Sequence, residues 1–240
     1  MKLLFVDTCG AMAGVALGDG ERIVVETNLS LDRRLSTRLL AVIDGLLTEA
    51  GMSVTGLDGI GVACGPGSFT GVRIGMATVK GMALAADLPV AGISSLALLA
   101  ANVPFARRQV CALMDARKKE VYAGLFRCEP LPVLVGPEWV VSPERLLDTI
   151  REPTIFVGDG AVAYRDLIEA RCGDLAHFAP CFCSHPHGAN GIVLSWEAFL
   201  RGEGVSPERL DPVYIRASEA EAAKTGEKFK VQSSKFKVQS

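Results

Sequence analysis

Three strand-like segments come before any helical pattern, and that order excludes most α/β frameworks. Residues 2–6 are apolar and run into the turn-rich Asp7-Thr8-Cys9-Gly10. Residues 13–17 form a second apolar run, Gly18-Asp19-Gly20 is a hairpin turn, and residues 22–27 are β-branched. A meander of this kind is not the opening of a dinucleotide-binding unit, where strand and helix alternate from the start. Alternation begins only afterwards. Ser36 can cap a helix in which Leu35, Leu39, Val42, Ile43, Leu46, Leu47 and Ala50 recur at helical spacing, and Gly51 stops it. Residues 57–63 predict a strand, 64–71 a glycine-rich loop and 72–86 a helix ended by Asp87-Leu88-Pro89. Residues 89–93 predict a strand, and Ser94 or Ser95 caps a helix to about residue 101.

Residues 102–108, with Pro104 and two arginines, are the best boundary, and a second strand-rich opening follows. Residues 109–114 and 120–126 read as strands around Asp115-Ala116-Arg117, with another β-rich stretch near 131–135. A helix over 142–151 has Ser142 as its cap and Pro143 in its first turn. A strand over 154–157, a helix over 161–171 after Gly158-Asp159-Gly160, and a last helix from about 190 to 201 complete the pattern. Both halves open with strands and close with alternating elements, which suggests two similar lobes, 1–103 and 104–223, the last helix packing on the first lobe. Residues 224–240 repeat Lys-Phe-Lys-Val-Gln-Ser and are expected to be disordered.

At 49% hydrophobic residues the chain can bury a sizeable core. The net charge of −2 is misleading, because five lysines and one glutamate lie beyond residue 223 and leave the body at −6. A body of that sign binds nucleic acid poorly by itself. Residues 1–6 are too short for a signal-peptide core, and Lys80 and Asp87 interrupt the most apolar stretch, so no membrane association is expected. Seven scattered cysteines, an odd number, read as free thiols in a reducing cytoplasm.

The densest motif is Gly65-Pro66-Gly67-Ser68-Phe69-Thr70-Gly71-Val72-Arg73-Ile74-Gly75. Three glycines and a proline form a tight loop that feeds a helix N-terminus, with Thr70 as cap. Such a start presents unpaired N–H groups and favours anions. No Gly-Lys-Ser/Thr follows at Walker spacing. The loop therefore reads either as an anion contact, with Gly65, Gly67, Ser68 and Thr70 as its residues, or as a purely structural turn.

GPGSFTGVRIG, the following VKGMALA, and Pro89-Val90-Ala91-Gly92-Ile93-Ser94-Ser95-Leu96 resemble the TsaB (YeaZ) family. The opening FVDTCGAMAGVAL, the segment MDARKKEVYAGLF and Asp211-Pro212-Val213-Tyr214-Ile215-Arg216 fit the same family, so the resemblance spans residues 1–216. It implies an actin/Hsp70/sugar-kinase-like fold of two RNase-H-like lobes. It also implies a non-catalytic subunit, without a cofactor, for threonylcarbamoyl modification of the adenosine beside the anticodon in tRNAs that read codons starting with A. The implied partners are a TsaD-like catalytic paralogue in a heterodimer and a TsaE-like ATPase, with tRNA reached only through the complex. Alone, such a subunit is expected to self-associate.

The TsaD-type enzyme carries a His-x-x-x-His pair on its first long helix, a spacing that sets both imidazoles on one face to grip a metal. Alignment places Leu35 and Leu39 at those positions, and all three histidines of this chain lie at 177, 185 and 187. Leucine has no lone pair to offer. TsaB relatives usually keep one histidine near position 35, and this chain departs even from that. Asp7 and Thr8 sit where actin-fold proteins place a phosphate-loop Asp and hydroxyl. They read either as a nucleotide contact or as an Asx-type turn. Cys181-x-Cys183-x-His185-x-His187 puts four metal-capable groups within seven residues, but a spacing of two disfavours tetrahedral closure, and no metal site is assigned. Trp139, Trp196 and the phenylalanines show no stacking series near basic residues, which favours packing roles.

The helix over 72–86 has only Arg73 and Lys80 as charges. A helix covering one sheet needs one apolar stripe. This one offers two, Val72, Met76, Val79, Ala83 and Ala86 on one face and Gly71, Gly75, Thr78, Met82 and Ala85 on another. The second face, with Leu40 and Leu47 of the preceding helix, is expected to meet the TsaD-like partner. The rival is an actin-fold phosphotransferase or a glycoprotease-type hydrolase, which needs Asp7, the 65–71 loop and Gly158-Asp159-Gly160 around a nucleotide.

Overall fold

A computed structural model describes residues 1–20, 22–30 and 35–215, with side chains from residue 38 in the first helix. The repeat tail lies outside these residues. The chain divides into two units, residues 1–98 with 186–212, and residues 99–185 with 213 onward. The division therefore differs from a single cut after residue 103, because the chain crosses back near residue 186.

The first unit opens with the expected meander of β1 (Lys2–Asp7), β2 (Met12–Asp19) and β3 (Arg22–Ser30). Then come α1 (Leu35–Glu49), β4 (Gly59–Gly65), α2 (Phe69–Ala86), β5 (Val90–Ser94) and α3 (Ser95–Ala100), whose last two residues fall in the second unit. The sheet order is β3-β2-β1-β4-β5. Strands β1 to β3 pair antiparallel, whereas β1, β4 and β5 pair parallel. Every residue of β4 is buried, as expected of a parallel central strand flanked on both edges. Helix α1 already includes Leu35, so Ser36 lies inside it rather than at its cap.

The second unit repeats the plan with β6 (Ala106–Asp115), β7 (Val121–Cys128), β8 (Pro132–Leu134), β9 (Trp139–Val141), α4 (Pro143–Leu147), β10 (Thr154–Val157), α5 (Asp159–Ala163), α6 (Arg165–Cys172) and β11 (Ala176–Phe178). Its sheet runs β11-β10-β6-β7-β8, with β9 also on β7. Again a three-strand antiparallel meander is extended by two parallel strands. Ser142 caps α4 and accepts from the Arg145 N–H at 3.5 Å. The single helix expected over 161–171 is broken at Tyr164 (φ −112°, ψ 22°) into α5 and α6. Leu113, Val121, Leu146, Ile150, Phe156 and Ile168 form this unit's core. The same RNase-H-like order occurring twice is the actin/Hsp70/sugar-kinase-like architecture.

After residue 185 the chain returns to the first unit with α7 (Gly188–Leu200), which packs on β1, β2 and β4. Glycines make that contact close. A Cβ on Gly191 would lie 2.1 Å from the Phe5 ring, and one on Gly59 would lie 2.6 Å from the Phe199 ring. None of the described helices is long and apolar enough to cross a membrane.

Candidate functional site

The glycine-rich motif is a seat for the end of β1. Ser68, not Thr70, is the N-cap of α2. Its Oγ accepts from the Gly71 N–H at 3.3 Å, and the helix begins at Phe69, three residues before the expected start. Thr70 lies exposed in the first turn. The Ser68 N–H donates to the Cys9 carbonyl at 2.7 Å. A Cβ on Gly67 would stand 2.4 Å from that carbonyl oxygen. A Cβ on Gly71 would be 2.0 Å from the Thr8 carbonyl oxygen, and one on Gly75 would be 2.3 Å from Thr8 Oγ1. No real Cβ tolerates such distances, so these glycines let α2 lie directly on the chain leaving β1. Gly65 ends β4, where its φ of +108° favours glycine.

Asp7 and Thr8 are both buried in this junction. Thr8 Oγ1 donates to the Gly71 carbonyl at 2.6 Å. Asp7, 2% exposed, accepts from the Cys9 N–H at 2.8 Å through Oδ1, closing the Asx-type turn. Asp7 Oδ2 and the Ser95 hydroxyl find no hydrogen-bond partner among the described residues. Burial raises the Asp7 carboxyl to about 6, against the pull of the Cys9 amide. Burial, then the Asp7 charge, pushes the Cys9 thiol far above its usual range, and the thiol donates to the Ala63 carbonyl at 3.4 Å. Sequence reasoning gave Ser95 only as an alternative helix cap to Ser94, which takes that role by accepting from the Leu96 and Ala97 N–H groups, and gave Cys9 only as part of a turn. Their burial is a property of the closed turn.

The outer face of α2 differs from the expected one. Gly71 and Gly75 are buried against Thr8 and offer no surface. Thr78 and Met82 are half-buried and Ala85 is exposed. Ala77, Gly81 and Leu84 also face outward, Leu84 at 55% exposure, with Ile74 half-buried beside them. A Cβ on Gly81 would meet nothing within 4 Å. Arg73 lies over the Phe69 ring at 4.7 Å, one turn along the helix. On α1, Leu47 is buried with Leu39 and Ile43, because i, i+4 and i+8 share one face. Leu46 is half-buried and Leu40 is 56% exposed. Helix α2 therefore leaves an apolar, small-residue outer surface of Ala77, Thr78, Gly81, Met82, Leu84 and Ala85, and α1 leaves Leu40 exposed. The sequence signal for it was the absence of charge along α2, and its phase was misread by about a quarter turn.

Leu39, at one of the aligned metal positions, is 1% exposed and belongs to the core; the Leu35 side chain lies outside the described residues. Residues 181–183 form a 3-10 turn in which Cys183 is buried, its thiol donating to the Asn102 carbonyl at 3.8 Å. His187 Nδ1 lies 3.6 Å from Glu26. Among the described residues no three His, Cys, Asp or Glu side chains are grouped to hold a metal. In the second unit Asp159 Oδ1 accepts from the Asp115 N–H at 3.1 Å, so the Gly158-Asp159-Gly160 turn braces β6.

Comparison with known proteins gives one consistent result. A family model for TsaD, the tRNA N6-adenosine threonylcarbamoyltransferase, matches residues 29–224. The Bacillus subtilis tRNA threonylcarbamoyladenosine biosynthesis protein TsaB is 31% identical over 226 residues, 92% of this chain and 97% of that protein. The Escherichia coli protein of the same name is 29% identical, over 90% of this chain and 95% of its own length. The solved structure of YeaZ from Pseudomonas aeruginosa superposes with a TM-score of 0.78 at 33% identity, covering 89% of this chain and 99% of that one. With two near full-length sequence relatives, a matching structure, and the GPGSFTGVRIG loop seated on the first strand in the way described, the chain belongs to the TsaB (YeaZ) family.

Proposed function

We propose that this chain serves threonylcarbamoyladenosine formation in tRNA as a non-catalytic subunit, docking through α1 and α2 onto a TsaD-like catalytic paralogue. The observation that carries the reading is the outer face of α2, where Ala77, Thr78, Gly81, Met82, Leu84 and Ala85 present almost no charge to solvent. Small residues allow a second helix to approach closely, and an apolar face of this kind marks an interaction site. In this reading the docked pair helps recruit a TsaE-like ATPase and reaches tRNA as a complex. Without its partner the chain pairs with itself through the same face.

A non-catalytic role is supported by Leu39 at an aligned metal position and by the burial of Asp7 and Thr8 within their own unit. A carboxylate that is 2% exposed is a poor nucleotide ligand, which weighs against the phosphotransferase reading. The test is capture of the TsaD-like paralogue by the full chain carrying Gly81→Arg. Position 81 has free space around it, so the variant folds and presents a long cation on the proposed face. Loss of capture supports the reading, and capture at parental strength sinks it.

A further inference from the structure

We infer that the repeat near the end of the chain, Lys-Phe-Lys-Val-Gln-Ser at 228–233 and again at 235–240, adds as a strand to the outer edge of β3 in the same molecule. Among the described strands β3 is the longest open edge. It pairs with β2 alone, and no described strand lies on its other side. At the far end of the same sheet β5 meets Val205 in an isolated bridge, and in the second unit the outer strands β8 and β11 have three residues each. Strand β3 has nine residues and contains neither proline nor lysine, two residues that commonly blunt such an edge. An edge strand turns alternate N–H and C=O groups away from its single neighbour, which makes it a template for one strand more.

The pattern of the edge fits the repeat. An extra residue at Val24 shifts the register, and pairing then runs unbroken over residues 25–30, the length of one repeat. Side chains alternate across a strand. Glu26 and Asn28 share the face that meets α7, where Glu26 accepts from the Ala189 N–H at 3.3 Å and from Asn28 Nδ2 at 3.2 Å. Val25, Thr27 and Leu29 share the other face and are only half-buried. The repeat alternates in the same way, with Lys228, Lys230 and Gln232 on one face and Phe229 and Val231 on the other. A strand laid on β3 in that phase sets lysines beside Glu26 and apolar side chains beside Val25 and Leu29, the cross-strand pairs that stabilise sheets. A lysine-rich segment cannot build a core of its own. An existing edge supplies it with backbone partners and an apolar neighbour. Residues 216–227 tether the repeat, and a short tether sets a millimolar local concentration, which favours pairing within one molecule over pairing between molecules.

This inference goes beyond the docking reading and does not depend on it, because the full chain is tested without any protein partner. The measurement is hydrogen exchange followed by mass spectrometry of peptides covering β3. The parent is compared with a full-length double variant, Val231→Pro with Val238→Pro. Proline has no amide to donate and cannot continue a ladder, and both repeats are changed because either can fill the edge. Charge and length are kept. The β3 amides are expected to exchange about tenfold faster in the variant, while those of β1 and β4 keep the parental rate. A second variant, Lys230→Glu with Lys237→Glu, sets like charges beside Glu26 and is expected to speed β3 exchange as well. Equal β3 exchange in the parent and the proline variant overturns the proposal. Protection of β3 that grows with protein concentration also overturns it, and assigns the edge to a second molecule.

Discussion

The Thr8 hydroxyl lies 2.6 Å from the Gly71 carbonyl oxygen, while the missing Cβ of Gly75 leaves the room that the same hydroxyl occupies. One residue thus explains two glycines of the motif, its main-chain carbonyl crowding Gly71 and its hydroxyl crowding Gly75, four residues apart on the face of α2 that meets β1. Gly75→Ala is expected to lose about 1–3 kcal/mol by overpacking. In a Thr8→Ala background the nearest remaining atom is the Thr8 Cβ position at 3.5 Å, an ordinary contact. The two changes should therefore be strongly non-additive, with most of the Gly75→Ala cost gone from the double variant. Urea unfolding of the four proteins in the cycle measures this, and additive losses would refute the assignment.

Gly81 should behave in the opposite way. It is exposed within α2, and a Cβ there meets nothing within 4 Å. Gly81→Ala is expected to stabilise the chain by up to about 1 kcal/mol through helix propensity. Gly81→Arg should be at least as stable as the parent, so that its loss of partner capture cannot be assigned to unfolding. Thermal unfolding of both variants checks this.

Asp7 gives the stability a defined pH dependence. Burial raises its carboxyl to about 6 in the fold, from an ordinary value of 3.8. The native state therefore holds the proton more tightly than the unfolded chain, so stability is greatest below about 4, falls as pH rises towards 6, and is level above. The difference is worth about 3 kcal/mol. Asp7→Asn cannot titrate, so its stability relative to the parent should rise by about that amount between pH 4 and pH 7. A constant offset across this range would count against the burial-driven shift.

Thiol reactivity should sort by burial. Cys9, Cys64, Cys111, Cys128 and Cys183 are buried, and desolvation raises the thiols of Cys9, Cys111, Cys128 and Cys183. Cys181 is exposed. A thiol reagent in native buffer should label Cys181 first, and the five buried residues only at the rate of unfolding. Fast labelling of Cys9 in the native state would show that the turn after β1 opens.

Much of the framework was legible because it rests on local signals. The Gly18-Asp19-Gly20 turn and the β-branched third segment fix the meander, and Ser142-Pro143 fixes the start of α4. What failed depends on contacts distant in sequence. Gly71 and Gly75 looked like a surface stripe, since nothing in their own segment reveals that Thr8 sits on them. Leu47 was assigned outward although its i, i+4 partners Leu39 and Ile43 point to the core. The start of α2 was set too late because Gly-Pro-Gly extends the appearance of a loop into Phe69 and Thr70. The return of the last helix to the first lobe was expected, but its close seat was not, since Gly188 and Gly191 disclose their role only beside Ala16 and Phe5.

That return has a consequence for synthesis on the ribosome. Phe5 and the strand that bears it emerge first, but the helix covering them, with Gly191 against the ring, leaves the exit tunnel only after residues 99–185 of the second unit have been made. Vectorial folding should therefore complete the sheet of the later unit before that of the earlier one is covered. A nascent chain stalled ahead of residue 186 would expose one bare face of its leading sheet to chaperones.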